Sequence, residues 1–215
     1  MLHGDVYDDS CAYALKLAEE TGATFVHPFD DLDIATGQGT IAMEIVQELP
    51  TVDYILAPIG GGGLVTGIST LAKMLNPKIQ VIGVEPAAAA SMTAAFQAGE
   101  PVALDSADTI ADGTAVKKVG EKIFPYAKEN IDRILTVQDD ELIGAFLDMV
   151  ENHKMIVENS GLLTVAALKQ HGPEGQKGSS SLKRRKYGYH HHVLRGTARP
   201  DPARPDLLRV RTAAG

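Results

Sequence analysis

Cysteine is almost missing from this 215-residue chain, where Cys11 stands alone. A disulfide framework within one chain and a cysteine metal site are therefore both excluded. A reducing compartment, the cytoplasm, is the simplest address. No apolar run approaches the length of a membrane span. The opening Met-Leu-His-Gly-Asp has neither a basic n-region nor an apolar h-region, so no secretion signal is expected. Positive charge is scarce over most of the chain. Residues 1–170 carry 10 Lys and Arg against 25 Asp and Glu, while residues 171–215 carry 10 against 3, and the total is −8. An acidic body is a poor surface for nucleic acid. The basic end has the charge of a nucleic-acid arm, but its setting, described below, argues against that use. No internal repeat is visible.

Hydrophobic residues make up 44% and charged residues 22%, the balance of a globular protein. The length holds one good-sized domain or two small ones. Glycine is where the sequence is most informative. Gly60 to Gly63 are consecutive. They follow the short apolar run Asp53 to Ile59 and precede Leu64 to Leu75, whose apolar residues recur at helical spacing. Glycine costs backbone entropy, so four in a row need a reason. A strand, a glycine loop and a helix supply one: bare N–H groups close around an anion, and the helix N-terminus adds partial positive charge. Phosphate is the usual guest. A flexible linker is the bland alternative, but linkers seldom join a buried strand to an amphipathic helix.

The body alternates helix and strand patterns. A helix capped by Ser10 and closed by Gly22 leads to a strand over 23–26 and a polar turn at Asp30 to Asp33. A helix over 40–49 stops at Pro50. Strand 53–58, the glycine loop and helix 64–75 follow, and Asn76-Pro77 ends that helix. Strand 79–84 runs into Glu85-Pro86. Helices are expected near 90–98 and, interrupted by Pro125, over 117–129. A strand lies within 131–137, and helices cover 139–153 and 161–170. Strands separated by helices predict an α/β fold with a mostly parallel sheet covered on both faces. After Lys177 the hydrophobic periodicity stops. A serine run, Lys-Arg-Arg-Lys, His190 to His192 and an Arg/Pro-rich stretch follow, a composition that predicts disorder.

Several ligands could suit the glycine loop. The Walker pattern fails, because no Gly-Lys-Ser/Thr follows. A dinucleotide site is a rival: Gly61, Gly63 and Gly67 form a loose glycine pattern, and Glu85 ends the next strand where an acidic group would hold a ribose. A single phosphate, such as that of pyridoxal 5′-phosphate, is the third option.

Six motifs in order decide among them: His27-Pro28-Phe29-Asp30-Asp31, Gly37-Gln38-Gly39-Thr40, Pro58 to Leu64, Val81-Ile82-Gly83-Val84-Glu85, Ile110-Ala111-Asp112-Gly113, and Val157-Glu158-Asn159-Ser160-Gly161. From about Leu2 to Gln170 the chain resembles the threonine dehydratases (threonine ammonia-lyases), pyridoxal-phosphate enzymes built like the tryptophan synthase β chain. The resemblance implies a partial three-layer sandwich of the type II pyridoxal-phosphate fold. It implies that Gly60, Gly61, Gly62, Gly63 and Leu64 bind the cofactor phosphate and that Glu158 lies near the cofactor ring. Asp112-Gly113 match a family turn, which turn chemistry alone would also explain. Glu85 matches a divalent-ion ligand of serine-racemase relatives, but the next carboxylate of that set falls at Ser91, so no metal site is expected. Cys11, His3, His27 and His153 are read as structural.

The implied reaction is β-elimination from L-threonine, and secondarily L-serine, giving 2-oxobutanoate and ammonia from threonine. The cofactor is the electron sink and a Schiff-base lysine moves the α-proton. An amino-acid substrate and a homo-oligomer are the implied partners, with no nucleic acid and no membrane. The family's lysine sits in a Ser-Phe-Lys segment that this sequence does not contain. The expected organisation is therefore a small-domain remnant over 1–35, part of the cofactor-binding large domain over 36–177, and a disordered tail over 178–215, the chain alone being inactive. Read one base out of frame with permitted wobble choices, Gly178 onward gives Val-Val-Val-Val-Leu-Ser-Gly-Gly-Asn, the family's own continuation. A frame change near Lys177 is expected on that ground, and the basic tail is expected to have no selected role.

Overall fold

The computed structural model describes His3, residues 7–171, and three short segments at 187–189, 194–196 and 210–212. Helix α1 (Tyr7–Thr21) ends at Gly22, whose φ of +70° takes the left-handed turn that glycine tolerates. The strand expected over 23–26 does not form. Its backbone reaches no sheet ladder, and Val26 is left 62% exposed. The segment is held instead by rings: Phe25 meets His27 edge-on, and His27 meets Phe29 at 4.6 Å between centroids.

Helix α2 runs Leu32–Glu48, starting eight residues before the expected Thr40. The cause is Asp31. It sits in extended conformation as N-cap, and its carboxylate accepts the N–H groups of Asp33 and Ile34 at 2.8 and 3.1 Å. The supposed polar turn is thus a helix start. Gly37 and Gly39 do not break the helix, and Gly39 has a packing reason to be there. Ala35, Gly39, Ala42 and Ile45 form the buried stripe. A methyl group on Gly67 of the facing helix would lie 2.0 Å from the Ala35 carbonyl oxygen, so the two helices meet almost backbone to backbone.

Strand β1 (Tyr54–Pro58) is buried throughout. The glycine loop follows, then helix α3 (Gly63–Leu75), strand β2 (Gln80–Pro86) and helix α4 (Ser91–Ala98). Helix α5 covers only Phe124–Asn130, not the expected 117–129, because Pro125 lacks an N–H and fits in the first turn. Residues 117–123 form a turn-rich approach to it. Strand β3 (Arg133–Val137) and helices α6 (Asp139–His153) and α7 (Asn159–His171) complete the body. Beyond them lie β4 (Tyr187–Tyr189), β5 (Leu194–Gly196) and β6 (Val210–Thr212). The rest of the expected disordered tail, and the proposed frame change near Lys177, lie outside the described residues.

The main sheet has the order β3-β2-β1-β4 with every pair parallel, and β5 and β6 pair antiparallel. In β1 and β2, Ile55 pairs with Val81 and Leu56 with Ile82. Alternation sends the two registers to opposite faces. Ile55, Ala57 and Val81 join α2, α3 and α5 in one core through Ile45, Ile68 and Phe124. Leu56, Ile82 and Val84 join α6 and α7 in a second core through Leu142, Met149 and Leu163. The result is the three-layer α/β sandwich, with β1 and nearly all of β2 buried at the centre of the parallel sheet. Lys73 ties the layers at one end. Its ammonium donates to both oxygens of Asp132, at 2.7 and 2.8 Å, and to the Ile79 carbonyl at 2.8 Å. No helix of the described residues is long and apolar enough to cross a membrane.

Candidate functional site

Parallel strands deliver their loops to one edge of the sheet, and ligands of such sheets bind beyond the strands' carboxyl ends. The glycine loop leaves β1 at that edge. It lines a cleft of about 340 Å³ together with Pro28, Phe29, Gln38, residues 112–116, Glu158 and Ser160. The five loop positions singled out in the sequence, Gly60 to Leu64, and Glu158 therefore line one cleft.

Each glycine answers to a contact. Gly62 has φ +101°, outside the range most side chains adopt, and is the N-cap of α3 with no side chain to fold back on it. The N–H groups of Gly63, Leu64 and Val65 lie in the first turn and have no acceptor within the helix. At Gly61 a methyl group would lie 2.3–2.5 Å from three atoms of the Phe29 ring, and at Gly63 it would lie 2.6 Å from the Phe29 carbonyl oxygen. At Gly60 it would lie 3.1 Å from the Thr114 backbone. The loop is thus pressed against the Phe29 and Thr114 segments, which line the same cleft, and only hydrogen sits on its glycine α-carbons.

The donor chemistry follows. Among the described residues no Lys or Arg lines the cleft. Attraction for an anion comes from oriented backbone N–H groups and the end of the α3 dipole. That suits a phosphate monoester, whose oxygens accept several N–H bonds at once.

The other wall carries acid. A methyl group on Gly113 would lie 2.6 Å from Glu158 Oε1 and 3.0 Å from Ser160 Oγ, so both side chains reach over Gly113. Ser160 is buried while Glu158 is exposed. The Thr114 hydroxyl donates to the Ala111 carbonyl at 2.9 Å and stands 3.5 Å from Ser160 Oγ. Asn159 donates its amide to the Ile110 carbonyl at 2.8 Å, joining the Asp112-Gly113 turn to the start of α7. Two motifs far apart in sequence, 110–113 and 157–161, therefore form one wall.

Glu85 does not face this cleft. It is fully buried, and its carboxylate accepts from Met92 N at 2.6 Å, Thr93 N at 3.0 Å and the Thr93 hydroxyl at 2.7 Å. Burial pushes its pKa up, and the Thr93 hydroxyl and the two amides offset only part of the rise. Glu85 caps α4. An acid so engaged cannot hold a ribose, which removes the acidic partner that the dinucleotide reading needs. His27 is likewise structural: its Nδ1 accepts from Asp30 N at 2.8 Å and Phe29 N at 3.3 Å.

Sequence reasoning missed Phe29, Asp30 and Gln38 as parts of the site and its frame. Their motifs at 27–31 and 37–40 were visible, but only the fold shows that these residues lie against the glycine loop and its neighbours.

Residues 1–182 match the family model described as pyridoxal-phosphate dependent enzyme. The chain is 40% identical over 168 residues to an L-threonine ammonia-lyase of Thermotoga maritima, covering 78% of this chain and 42% of that protein. It is 43% identical over 174 residues to a biosynthetic L-threonine dehydratase of Pasteurella multocida, covering 81% of this chain and 34% of that protein. The processed form of threonine deaminase isoform 2 from Solanum lycopersicum superposes with a TM-score of 0.74 at 40% identity, over 77% of this chain and 48% of the other. Maize serine racemase does so with a TM-score of 0.78 at 30% identity, over 88% and 56%. The chain spans less than half the length of the two curated relatives.

Proposed function

This chain belongs to the pyridoxal-phosphate-dependent enzymes, and from that premise we propose that it carries the phosphate-binding part of a lyase site acting on L-threonine and secondarily on L-serine. The observation that carries the reading is the loop itself: a left-handed Gly62 opens the first turn of α3 into a cleft. Relatives named as threonine ammonia-lyases or dehydratases share 38–46% identity with it, which supports the substrate.

Gly60 to Leu64 bind the phosphate through main-chain N–H groups. Pro28 and Phe29 close one side of the cleft and limit water there. Glu158 stands on the far wall, beside the position of the cofactor ring, and Ser160 beneath it holds that wall to Thr114. Pyridoxal 5′-phosphate supplies the electron sink that lets a β-hydroxy amino acid lose water and then ammonia. Among the described residues no lysine lines the cleft, and covalent attachment and α-proton transfer are assigned to parts of the enzyme other than this wall. The chain alone binds the phosphate and does not turn threonine over. Residues 1–35 correspond to small-domain sequence and 36–177 to large-domain sequence, and the whole enzyme is a cytoplasmic homo-oligomer.

Equilibrium dialysis of the full chain tests this reading. We expect retention of pyridoxal 5′-phosphate but not of pyridoxal or NAD. We also expect no lysine adduct after borohydride reduction and no keto acid from threonine. Tighter retention of NAD would overturn the cofactor assignment. Keto-acid formation would overturn the claim of inactivity.

A further inference from the structure

The glycine loop is gripped from outside by residues that do not line the cleft. Gly61 accepts a hydrogen bond at its carbonyl from Gly120 N–H at 3.0 Å. That carbonyl shares a peptide plane with the Gly62 N–H, and there is no cis peptide bond among the described residues. In a trans peptide the two groups point in opposite directions. The bond that draws the Gly61 carbonyl toward Gly120 therefore turns the Gly62 N–H away from Gly120, a residue that does not line the cleft.

Gly120 is itself held. Asp30 Oδ1 accepts the N–H groups of Lys122 at 2.7 Å and Ile123 at 3.3 Å. A methyl group on Gly120 would lie 2.5 Å from that same oxygen, so the carboxylate is seated directly on the glycine. His27 fixes where the carboxylate starts from, by accepting the Asp30 N–H. Phe29, the residue before, lies against Gly61 and Gly63. One short segment thus touches the loop directly and, through the 120–123 turn, indirectly.

We propose that Asp30 is a positioning residue for the anion cradle: its carboxylate pins the 120–123 turn, and the turn fixes the Gly61–Gly62 peptide so that its N–H faces the ligand. The proposal rests on the phosphate reading for its ligand, but the geometry it asserts exists without one. The part that matters is an acceptor oxygen at Oδ1, not the charge. Asparagine keeps that oxygen and alanine does not.

The test compares Asp30→Ala and Asp30→Asn with the unmodified full chain in two measurements. Amide hydrogen exchange reads the frame without ligand, with Ile59 N–H, bonded to the Val84 carbonyl, as the reporter of the core. Equilibrium dialysis against pyridoxal 5′-phosphate and inorganic phosphate reads the cradle. Loss of one well-placed hydrogen bond corresponds to about a tenfold change. We expect Asp30→Ala to speed exchange at Gly120 about tenfold and weaken both phosphates by a similar factor, with Ile59 unchanged. Asp30→Asn restores both readings. Unchanged exchange at Gly120 in Asp30→Ala overturns the proposal. So does an Asp30→Asn protein as impaired as Asp30→Ala. Loss of Ile59 protection together with Gly120 in Asp30→Ala would make Asp30 a residue of general stability, and also overturns it. If the unmodified chain binds neither phosphate, the functional reading falls while exchange at Gly120 still decides the role of Asp30.

Discussion

Replacing Gly61 by alanine puts one methyl group 2.3–2.5 Å from three atoms of the Phe29 ring. Ordinary carbon contacts begin near 3.5 Å, so a gap of about 1 Å must open. The ring cannot easily supply it. It is packed edge-on against His27 at 4.6 Å, and the Phe29 N–H is held by His27 Nδ1. Overpacking of this kind costs about 1–3 kcal/mol. In a domain of this size each kcal/mol lowers the melting midpoint by about 2–4 °C, so Gly61→Ala should melt about 2–12 °C lower. Gly37→Ala is the matched control: a methyl group there meets nothing within 4 Å in the same helical layer, and it should gain about 0.5–1 kcal/mol. The decisive variant is the double one. Phe29→Ala removes the ring, so Gly61→Ala in that background should cost about 1–3 kcal/mol less than in the native background. Denaturant melts of the four proteins measure this coupling. Strictly additive costs would refute the contact on which the cradle's shape depends.

Two further expectations concern the frame. Glu85 has a folded-state pKa raised above its ordinary value by burial. Its contribution to stability is therefore full below the ordinary carboxylate pKa and is lost as pH rises through the folded value. Melts from about pH 4 upward should show this decline in the native chain and a flatter profile in Glu85→Gln; parallel profiles would contradict it. Lys73→Met removes three donor contacts and leaves the Asp132 carboxylate, 31% exposed, with the Val81 N–H. It should cost about 1–2 kcal/mol by denaturant melt, reduced from a fully buried pair by solvent at the site; a cost near zero would make the bridge ornamental.

Much of this was legible in the residues. Glycines without side chains, a buried apolar strand and an amphipathic helix specify the loop between β1 and α3 from local physics alone. The parallel sheet follows from the alternation of strands and helices. What failed did so for tertiary reasons. Ala23 to Val26 has strand composition, but no ladder reaches it. Asp31 looked like a turn residue because a carboxylate serves a turn and a helix cap equally well. The helix expected from Thr40 begins at Leu32 and runs through Gly37 and Gly39, and Gly39 sits at the close approach of α3 at Gly67. Glu85 carried a ribose reading by its place after a strand, and only the structure shows its carboxylate spent on the amides of α4. The joining of Asp112-Gly113 to Glu158 and Ser160 depends on residues nearly fifty positions apart meeting on one wall, which no local pattern encodes.

The central claim is that main-chain N–H groups from Gly60 to Leu64 hold the phosphate of pyridoxal 5′-phosphate. An amide-resolved titration of the full chain by nuclear magnetic resonance addresses it most directly. The account predicts that pyridoxal 5′-phosphate and inorganic phosphate shift the Gly62, Gly63 and Leu64 amides in a saturable way, and that pyridoxal leaves them in place. Saturable binding of pyridoxal 5′-phosphate that leaves those three amides unmoved would contradict it.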